Sequence, residues 1–169
     1  KIKMLKKIVL AVLVALPMMV SAQTVKIGLV DTQAVMTVLP SYTEAQTKLE
    51  TIAKQYEEAS KNLQTELQRL YEEYQQLGKD ALPAIRERKE QDIVECEQKI
   101  QSFNQKARED LGKQQEALMS PIIANVQSAI QSVGKEGGYA IIQELGAVYY
   151  YGAPAEDITP AVKAKLGVK

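Results

Sequence analysis

The sequence of 169 residues contains no histidine, no tryptophan and one cysteine. Without histidine, the chain lacks the commonest general base and the commonest metal ligand in proteins. The single cysteine, Cys96, cannot form an internal disulfide, and its place on an apolar helical stripe predicts a small buried side chain. Gly137 and Gly138 follow a predicted helix, whereas a phosphate-binding loop precedes one. We therefore expect no catalytic residues, metal or cofactor, and a protein that is not an enzyme.

An excess of positive charge is also missing. The sequence has 21 Lys and Arg residues against 21 Asp and Glu residues. A nucleic-acid-binding protein needs a basic surface, so we expect no nucleic acid partner. Adjacent carboxylates such as Glu57 and Glu58 point about 100° apart on a helix and cannot converge on one cleft, which predicts a solvated face instead of acid–base chemistry.

The N-terminus has the pattern of a secretory signal peptide. A basic head of four lysines precedes the apolar run Ile8–Val20, and the small residues Ser21 and Ala22 follow it. This pattern predicts a signal peptide over residues 1–22, cleavage after Ala22 and export to the periplasm. The alternative, a membrane anchor, is disfavoured because a span needs roughly 20 apolar residues and Pro17 interrupts the run.

The most informative pattern lies between Glu44 and Ser120. Apolar residues on its first stretch recur at spacings of three and four, with one slip between Leu63 and Leu67, as in a coiled-coil seam. The seam consists of Ala45, Leu49, Ile52, Tyr56, Ala59, Leu63, Leu67, Leu70, Tyr74 and Leu77. So narrow a stripe can be buried against one partner helix but cannot form a globular core. A helix of about 34 residues would be roughly 50 Å long.

A second, weaker stripe follows a turn at residues 77–83. Its members are Ile85, Lys89, Ile93, Cys96, Ile100, Phe103, Ala107, Leu111, Gln114 and Leu118. Two long helices joined by a short loop pack antiparallel. Ser41 and Glu44 match a capping box at the start of the first helix. We expect a helical hairpin arm over residues 44–119, with a kink or brief break at Ser120–Pro121.

The remaining residues, 23–43 and 120–169, form a predicted body. Strand-like segments occur at Val25–Val30, Tyr139–Ile142 and Ala147–Tyr151, the last two joined by a turn. About 70 residues make a thin core, and three strands leave two open edges. Self-association of the body would address both problems. The predicted fold class is α+β, with a small β-rich oligomerisation body and an inserted antiparallel coiled-coil hairpin.

With these residues in order, the chain resembles the Skp/OmpH-like periplasmic chaperones. The resemblance rests on the opening Ile27–Gln33, on the arm inserted after Leu39–Pro40, and on the ending, which comprises Gly138–Ile142, Ala147–Tyr150 and Asp157–Thr159. It covers nearly all of the chain after the signal peptide. None of the three markers is a catalytic motif, but their order and spacing are fairly specific.

The resemblance implies a homotrimer whose bodies join and whose arms surround a cavity. In that family the cavity holds unfolded outer-membrane proteins without ATP and prevents their aggregation. It also implies that the trimer interface includes Ile27, Leu29, Val148 and Tyr150. One departure matters, because better-known members are basic, whereas residues 44–120 here carry 12 basic and 16 acidic side chains. This balance argues against contact with lipopolysaccharide or an anionic membrane surface.

Residues that contact the unfolded client are predicted in the outer part of the arm. Leu70 and Tyr71 lie on or beside the seam, and Leu82 lies near the tip. Together they would offer exposed apolar contact. The alternative is a structural coiled-coil protein that spaces envelope layers or scaffolds a complex, which would require a rigid rod and one fixed partner.

Overall fold

The computed structural model describes residues 25–168, so the predicted signal peptide lies outside the described residues. The elements, in chain order, are β1 (Lys26–Val30), α1 (Thr32–Met36), α2 (Pro40–Gln75), α3 (Pro83–Gly137), β2 (Tyr139–Glu144), a 3₁₀ turn (Leu145–Ala147), β3 (Ala155–Asp157) and α4 (Thr159–Lys165). At 1.5 Å per residue, the 36 residues of α2 are about 54 Å long. Long helices with a small three-stranded sheet confirm the predicted α+β fold class.

The sheet has the order β2-β1-β3, and both outer strands run parallel to β1. Gly28 lies at the centre of β1, where a Cβ atom would come within 3.1 Å of Ile142 and Ile158 side-chain atoms. Glycine therefore permits close packing at this point.

The predicted strand Ala147–Tyr151 is wrong, since residues 148–154 form a connection and β3 begins at Ala155. β3 pairs parallel with β1 on the side opposite β2, so the chain needs a long connection to cross from β2 to β3. A short turn after β2 would instead have produced an antiparallel hairpin with β2.

One hydrophobic core joins the sheet to the helices of the body. It contains residues from almost every element and includes the fully buried Val35 and Val162. Its buried members are Val30, Val35, Leu39, Ala45, Ile122, Val126, Ala129, Val133, Ile158 and Val162. Because Ala45 and Ile122 belong to this core, the base of each long helix is anchored in the body.

The helix starts agree in part with the sequence signals. Asp31, a residue type favoured at helix N-caps, caps α1, and its Oδ1 accepts a hydrogen bond from the backbone N–H of Ala34 at 2.8 Å. The predicted capping box of Ser41 and Glu44 is wrong, because α2 already begins at Pro40 and no side-chain bond caps it. Proline lacks an N–H that the first turn would leave unbonded, so it is favoured at the first helical position.

Helix α3 continues through Pro121 without interruption. Of the kink or brief break predicted at this point, the break is therefore wrong. Pro121 removes one backbone hydrogen bond, which would have joined its nitrogen to the carbonyl of Ala117. Both residues are exposed, so water can bond to that carbonyl. Packing of Leu118 before Pro121 and of Ile122 after it against the body core then holds the helix across the missing bond.

Thr159 ties the start of α4 to the end of β1. Its buried Oγ1 accepts a hydrogen bond from the backbone N–H of Asp31 at 2.9 Å. We predict that Thr159→Val lowers the free energy of unfolding by about 1–3 kcal/mol, because a partly buried donor loses its acceptor without a change in side-chain size. Urea denaturation measures this loss. The control Thr37→Val alters an exposed threonine, and an equal loss there would contradict the prediction.

Candidate functional site: a two-helix arm

Helices α2 and α3 form one antiparallel hairpin. Tyr56 Oη donates to Asp110 Oδ2 at 2.8 Å, Ser60 Oγ donates to Asn104 Oδ1 at 3.2 Å, and Tyr74 Oη donates to Glu90 Oε1 at 2.5 Å. As the residue number rises on α2, that of its partner falls on α3. The direct bond to the Asp110 carboxylate also raises the pKa of Tyr56, with partial burial as a second cause. These bonds fix the register of the two helices along the arm.

A second apolar cluster lies in the outer part of the arm, away from the body core. Leu70, Ile93 and Cys96 are buried there, and Leu67, Tyr74 and Ile100 pack around them. Burial raises the pKa of the Cys96 thiol above its ordinary value. Cys96 thus occupies the buried position that its stripe predicted. The arm is stabilised by a narrow seam and presents most of its surface to solvent.

Between the two clusters the seam is loosely packed. Tyr56 and Phe103 contact each other with ring centroids 5.9 Å apart, but the neighbouring side chains are small or polar. A groove of about 590 Å³ opens there between the helices, and its lining includes Ala53, Ser60 and Ala107. This segment lies just before the slip in the heptad spacing at Leu63–Leu67, where a seam locally unwinds.

Ion pairs across the seam support the outer cluster. Lys89 Nζ lies 2.5 Å from Glu73 Oε2, and Lys99 Nζ lies 3.5 Å from Glu66 Oε2. Glu73 also pairs with Arg69 on its own helix. The hydrogen bond from Lys89 is the main cause of a pKa of Glu73 below its ordinary value. Ionised Glu73 therefore joins the two helices next to Leu70.

A pH dependence follows from this lowered pKa. A carboxylate with a lower pKa in the folded arm stabilises it above the unfolded-state pKa, and this contribution is lost as the pH falls through the folded-state pKa. We predict that Glu73→Gln lowers the melting temperature at pH 7, and that this deficit shrinks at the lowest pH at which the protein remains folded, because protonation of wild-type Glu73 removes the same charge. Thermal melts followed by circular dichroism test this, with exposed Glu58→Gln as the control. The same deficit at both pH values would contradict the assignment.

The structure separates the three residues predicted to contact a client. Leu70 is 8% exposed and packs between α2 and α3. While the two helices are packed together, almost none of the Leu70 side chain is accessible to a client. Its position on the seam explains this burial. Tyr71 is 40% exposed and Leu82, beside the tip, is 66% exposed, so both remain available. Ile85, a predicted member of the second stripe, is exposed, and so is Val94, which belongs to neither stripe.

The residues predicted at a trimer interface also occupy different environments. Leu29 is 1% exposed within a single chain, so it belongs to the protein's own interior and has no surface for a second copy. Ile27 is half-buried on β1, while Val148 and Tyr150 lie in the connection after β2 instead of in a strand. The exposed Ile141 pairs with Ile27 in register and shares its face of the sheet.

Within residues 25–168, no helix is long and apolar enough to cross a membrane. In the same range, no group of three or more His, Cys, Asp or Glu residues is placed to hold a metal ion.

The comparisons with known proteins agree with this architecture. The family described as "Outer membrane protein (OmpH-like)" matches residues 26–166, so the chain belongs to the OmpH-like family. Among solved structures, the fold is similar to that of a proposed OmpH-like outer membrane chaperone from Caulobacter crescentus CB15. The TM-score is 0.70 at 17% sequence identity, over 85% of this chain and 83% of the other. No curated protein matches the sequence significantly.

Proposed function

We propose that this protein is a periplasmic, ATP-independent holdase chaperone for unfolded outer-membrane proteins. The observation that carries the proposal is the arm, a solvent-exposed antiparallel pair of long helices attached to a small body. Membership of the OmpH-like family supports a chaperone role. The similar fold of the proposed Caulobacter chaperone supports it further. The client is an outer-membrane protein before it folds, when its strand edges and apolar side chains are open to aggregation.

The surface of the arm favours many weak contacts with a client over a single high-affinity binding site. The arm surface is mostly polar, with single exposed apolar residues such as Tyr71, Leu82 and Val94. Contacts of this size exchange rapidly, and several arms that act on one client would together hold it far more firmly than any single contact. Release then needs no nucleotide hydrolysis, because each contact breaks readily on its own.

Several arms require several copies, and we propose a homotrimer joined through the bodies. The proposed interface comprises Ile27 and Ile141 on the outer face of the sheet, together with the segment Val148–Tyr151. Tyr149 and Tyr150 are almost fully exposed in the single chain, and aromatic residues at such density are typical of interface cores. Leu29 follows Ile27 on the same face of β1 but is buried within the single chain, so it is not part of the proposed interface.

The oligomer proposal is tested by Ile141→Lys combined with Tyr150→Lys. These changes place two charges in the proposed interface, where unpaired charge is costly. Sedimentation of the chain without its predicted signal peptide should show a trimer, and the variant should sediment as a monomer. Exposed Gln131→Lys and Ser128→Lys on α3 form the matched control. A variant with the same mass in solution as the wild type would exclude this interface.

The holdase proposal is tested by refolding. An unfolded outer-membrane barrel protein is diluted from urea into buffer with a molar excess of this protein, and light scattering reports aggregation. We expect scattering to fall strongly without ATP. Unchanged scattering would contradict the holdase function. The structural-scaffold alternative predicts the same fold but no protection of unrelated clients.

A further inference from the structure

One exposed apolar side chain on the outer arm lies between two carboxylates. Val94 of α3 is 48% exposed, while its neighbour Ile93 is buried in the seam. Glu90 is four residues before Val94 and Glu97 three residues after it, so the three side chains share one face of the helix. Tyr71 of α2 adjoins them through its bond to Glu97. We call the surface of Tyr71, Glu90, Val94 and Glu97 the distal face.

Tyrosine hydroxyls from α2 hold both carboxylates of the distal face. Tyr71 Oη donates to Glu97 Oε1 at 2.7 Å, and Tyr74 Oη donates to Glu90 Oε1 at 2.5 Å. The Tyr71 ring is fixed at its hydroxyl end and still 40% exposed. An aromatic ring already held in place loses little conformational entropy when a ligand packs on it.

The two carboxylates carry negative charge that no nearby cation of the described residues pairs with. Some acidic residues of the outer arm are matched, since Glu73 pairs with Lys89 and Asp92 pairs with Arg88. Within residues 25–168, neither Glu90 nor Glu97 has a Lys or Arg nitrogen within 4.0 Å.

The cation one helical turn before Glu90 on α3 is Arg86, and it is engaged elsewhere. Its guanidinium lies over the Tyr74 ring, 5.7 Å from the centroid, and donates to the Gly78 carbonyl at 3.3 Å. The distal face therefore combines exposed apolar surface with unmatched negative charge.

We propose that the distal face binds extended segments of non-native polypeptide in which Lys or Arg alternates with apolar residues. The proposal rests on the holdase function and specifies which client segments the arm retains. Glu90 and Glu97 are about 10 Å apart along the helix axis. Long cationic side chains two to four residues apart in an extended chain reach across that distance. The apolar residue between them packs on Val94 and the Tyr71 ring, and acidic segments are repelled.

The test uses two short fluorescein-labelled peptides and the full chain without its predicted signal peptide. Lysine alternates with leucine in one peptide, and glutamate replaces lysine in the other. Fluorescence anisotropy should give at least about tenfold tighter binding of the lysine peptide, with a loss of affinity at high salt. Equal affinity for both peptides would overturn the proposal.

A double variant locates the binding. Glu90→Gln with Glu97→Gln removes both charges but keeps an oxygen that can accept from each tyrosine. It should weaken lysine-peptide binding roughly fivefold, as two exposed charge contacts permit. The control, Glu58→Gln with Glu95→Gln, removes two exposed charges outside the distal face and should change affinity by less than about twofold. Equal weakening by both variants would mean that only the net charge of the arm matters, which contradicts the proposal.

Aggregation assays on the same samples separate this proposal from the holdase function. If the protein suppresses aggregation but Glu90→Gln with Glu97→Gln leaves lysine-peptide affinity unchanged, the distal-face proposal fails and the holdase function stands. If the wild-type protein suppresses no aggregation, the holdase function fails, and the distal-face proposal fails with it.

Discussion

Replacement of residues 57–109 by a short Gly-Ser linker is expected to abolish protection of an unfolded barrel protein. The linker would join Tyr56 to Asp110, whose side chains are already hydrogen bonded across the arm. The deletion removes the outer cluster, the distal face and the tip. It leaves Ala45, Leu118 and Ile122, so the body core remains intact. Light scattering during refolding should then match that of the client alone.

The shortened variant must still fold for this result to be informative. Circular dichroism should show a cooperative melt, and sedimentation should show the same number of copies as the intact protein. A matched control replaces only residues 78–81 at the tip by Gly and Ser, which keeps both helices and should retain most of the protection. If the shortened variant protects the client as well as the intact protein does, mole for mole, the arm is not the functional site.

Val162→Asp is expected to unfold the body at room temperature. The Val162 side chain is fully buried in the body core, where a carboxylate would have no partner. An unpaired buried charge costs several kcal/mol, comparable with the total stability of a domain with so small a core. Rapid cleavage by a protease and loss of the cooperative melt would report the unfolding. Exposed Ala161→Asp on the same helix is the control and should melt like the wild type.

Cys96 offers a separate report on the arm in this experiment. Its thiol is buried in the outer cluster, at a distance along the chain from Val162. If the two clusters are independently packed, Cys96 should still react slowly with a thiol reagent in Val162→Asp. A stable body in Val162→Asp would contradict the assigned core, whereas rapid reaction of Cys96 would show that the arm needs the body in order to pair.

The long helices were predictable because each position contributes to one repeated pattern. The seam from Ala45 to Leu77 specifies a helix of about nine turns. On α3, packing of Ile122 and Val126 in the body core outweighs the irregularity at Pro121. The interhelical bonds were not predictable to the same degree. They depend on the register, which the geometry of the tip turn sets. Only the recurrence of Tyr on one stripe and of Glu beside the other, as at Tyr74 and Glu90, offered a signal.

The sheet shows where local preference misleads. Tyr149, Tyr150 and Tyr151 have high β-propensity, yet they lie in a connection, while Ala155–Asp157 with low propensity forms β3. The third strand forms because its backbone pairs with the edge of β1 that β2 leaves open. This pairing also places Ile158, which follows β3, in the body core. Such long-range requirements leave no pattern in a short segment of the sequence. Burial of Leu29 within the single chain was not predicted for the same reason, whereas the burial of Leu70 follows from its position on the seam.

The most direct test of the account is the composition of the complex with one client. Native mass spectrometry of the chain without its predicted signal peptide, mixed with an unfolded outer-membrane barrel protein, measures how many copies bind each client. The account predicts three copies with one client, and the same three copies when the client is absent. A single copy bound to the client, or no complex at all, would contradict an assembly that shelters unfolded chains between its arms.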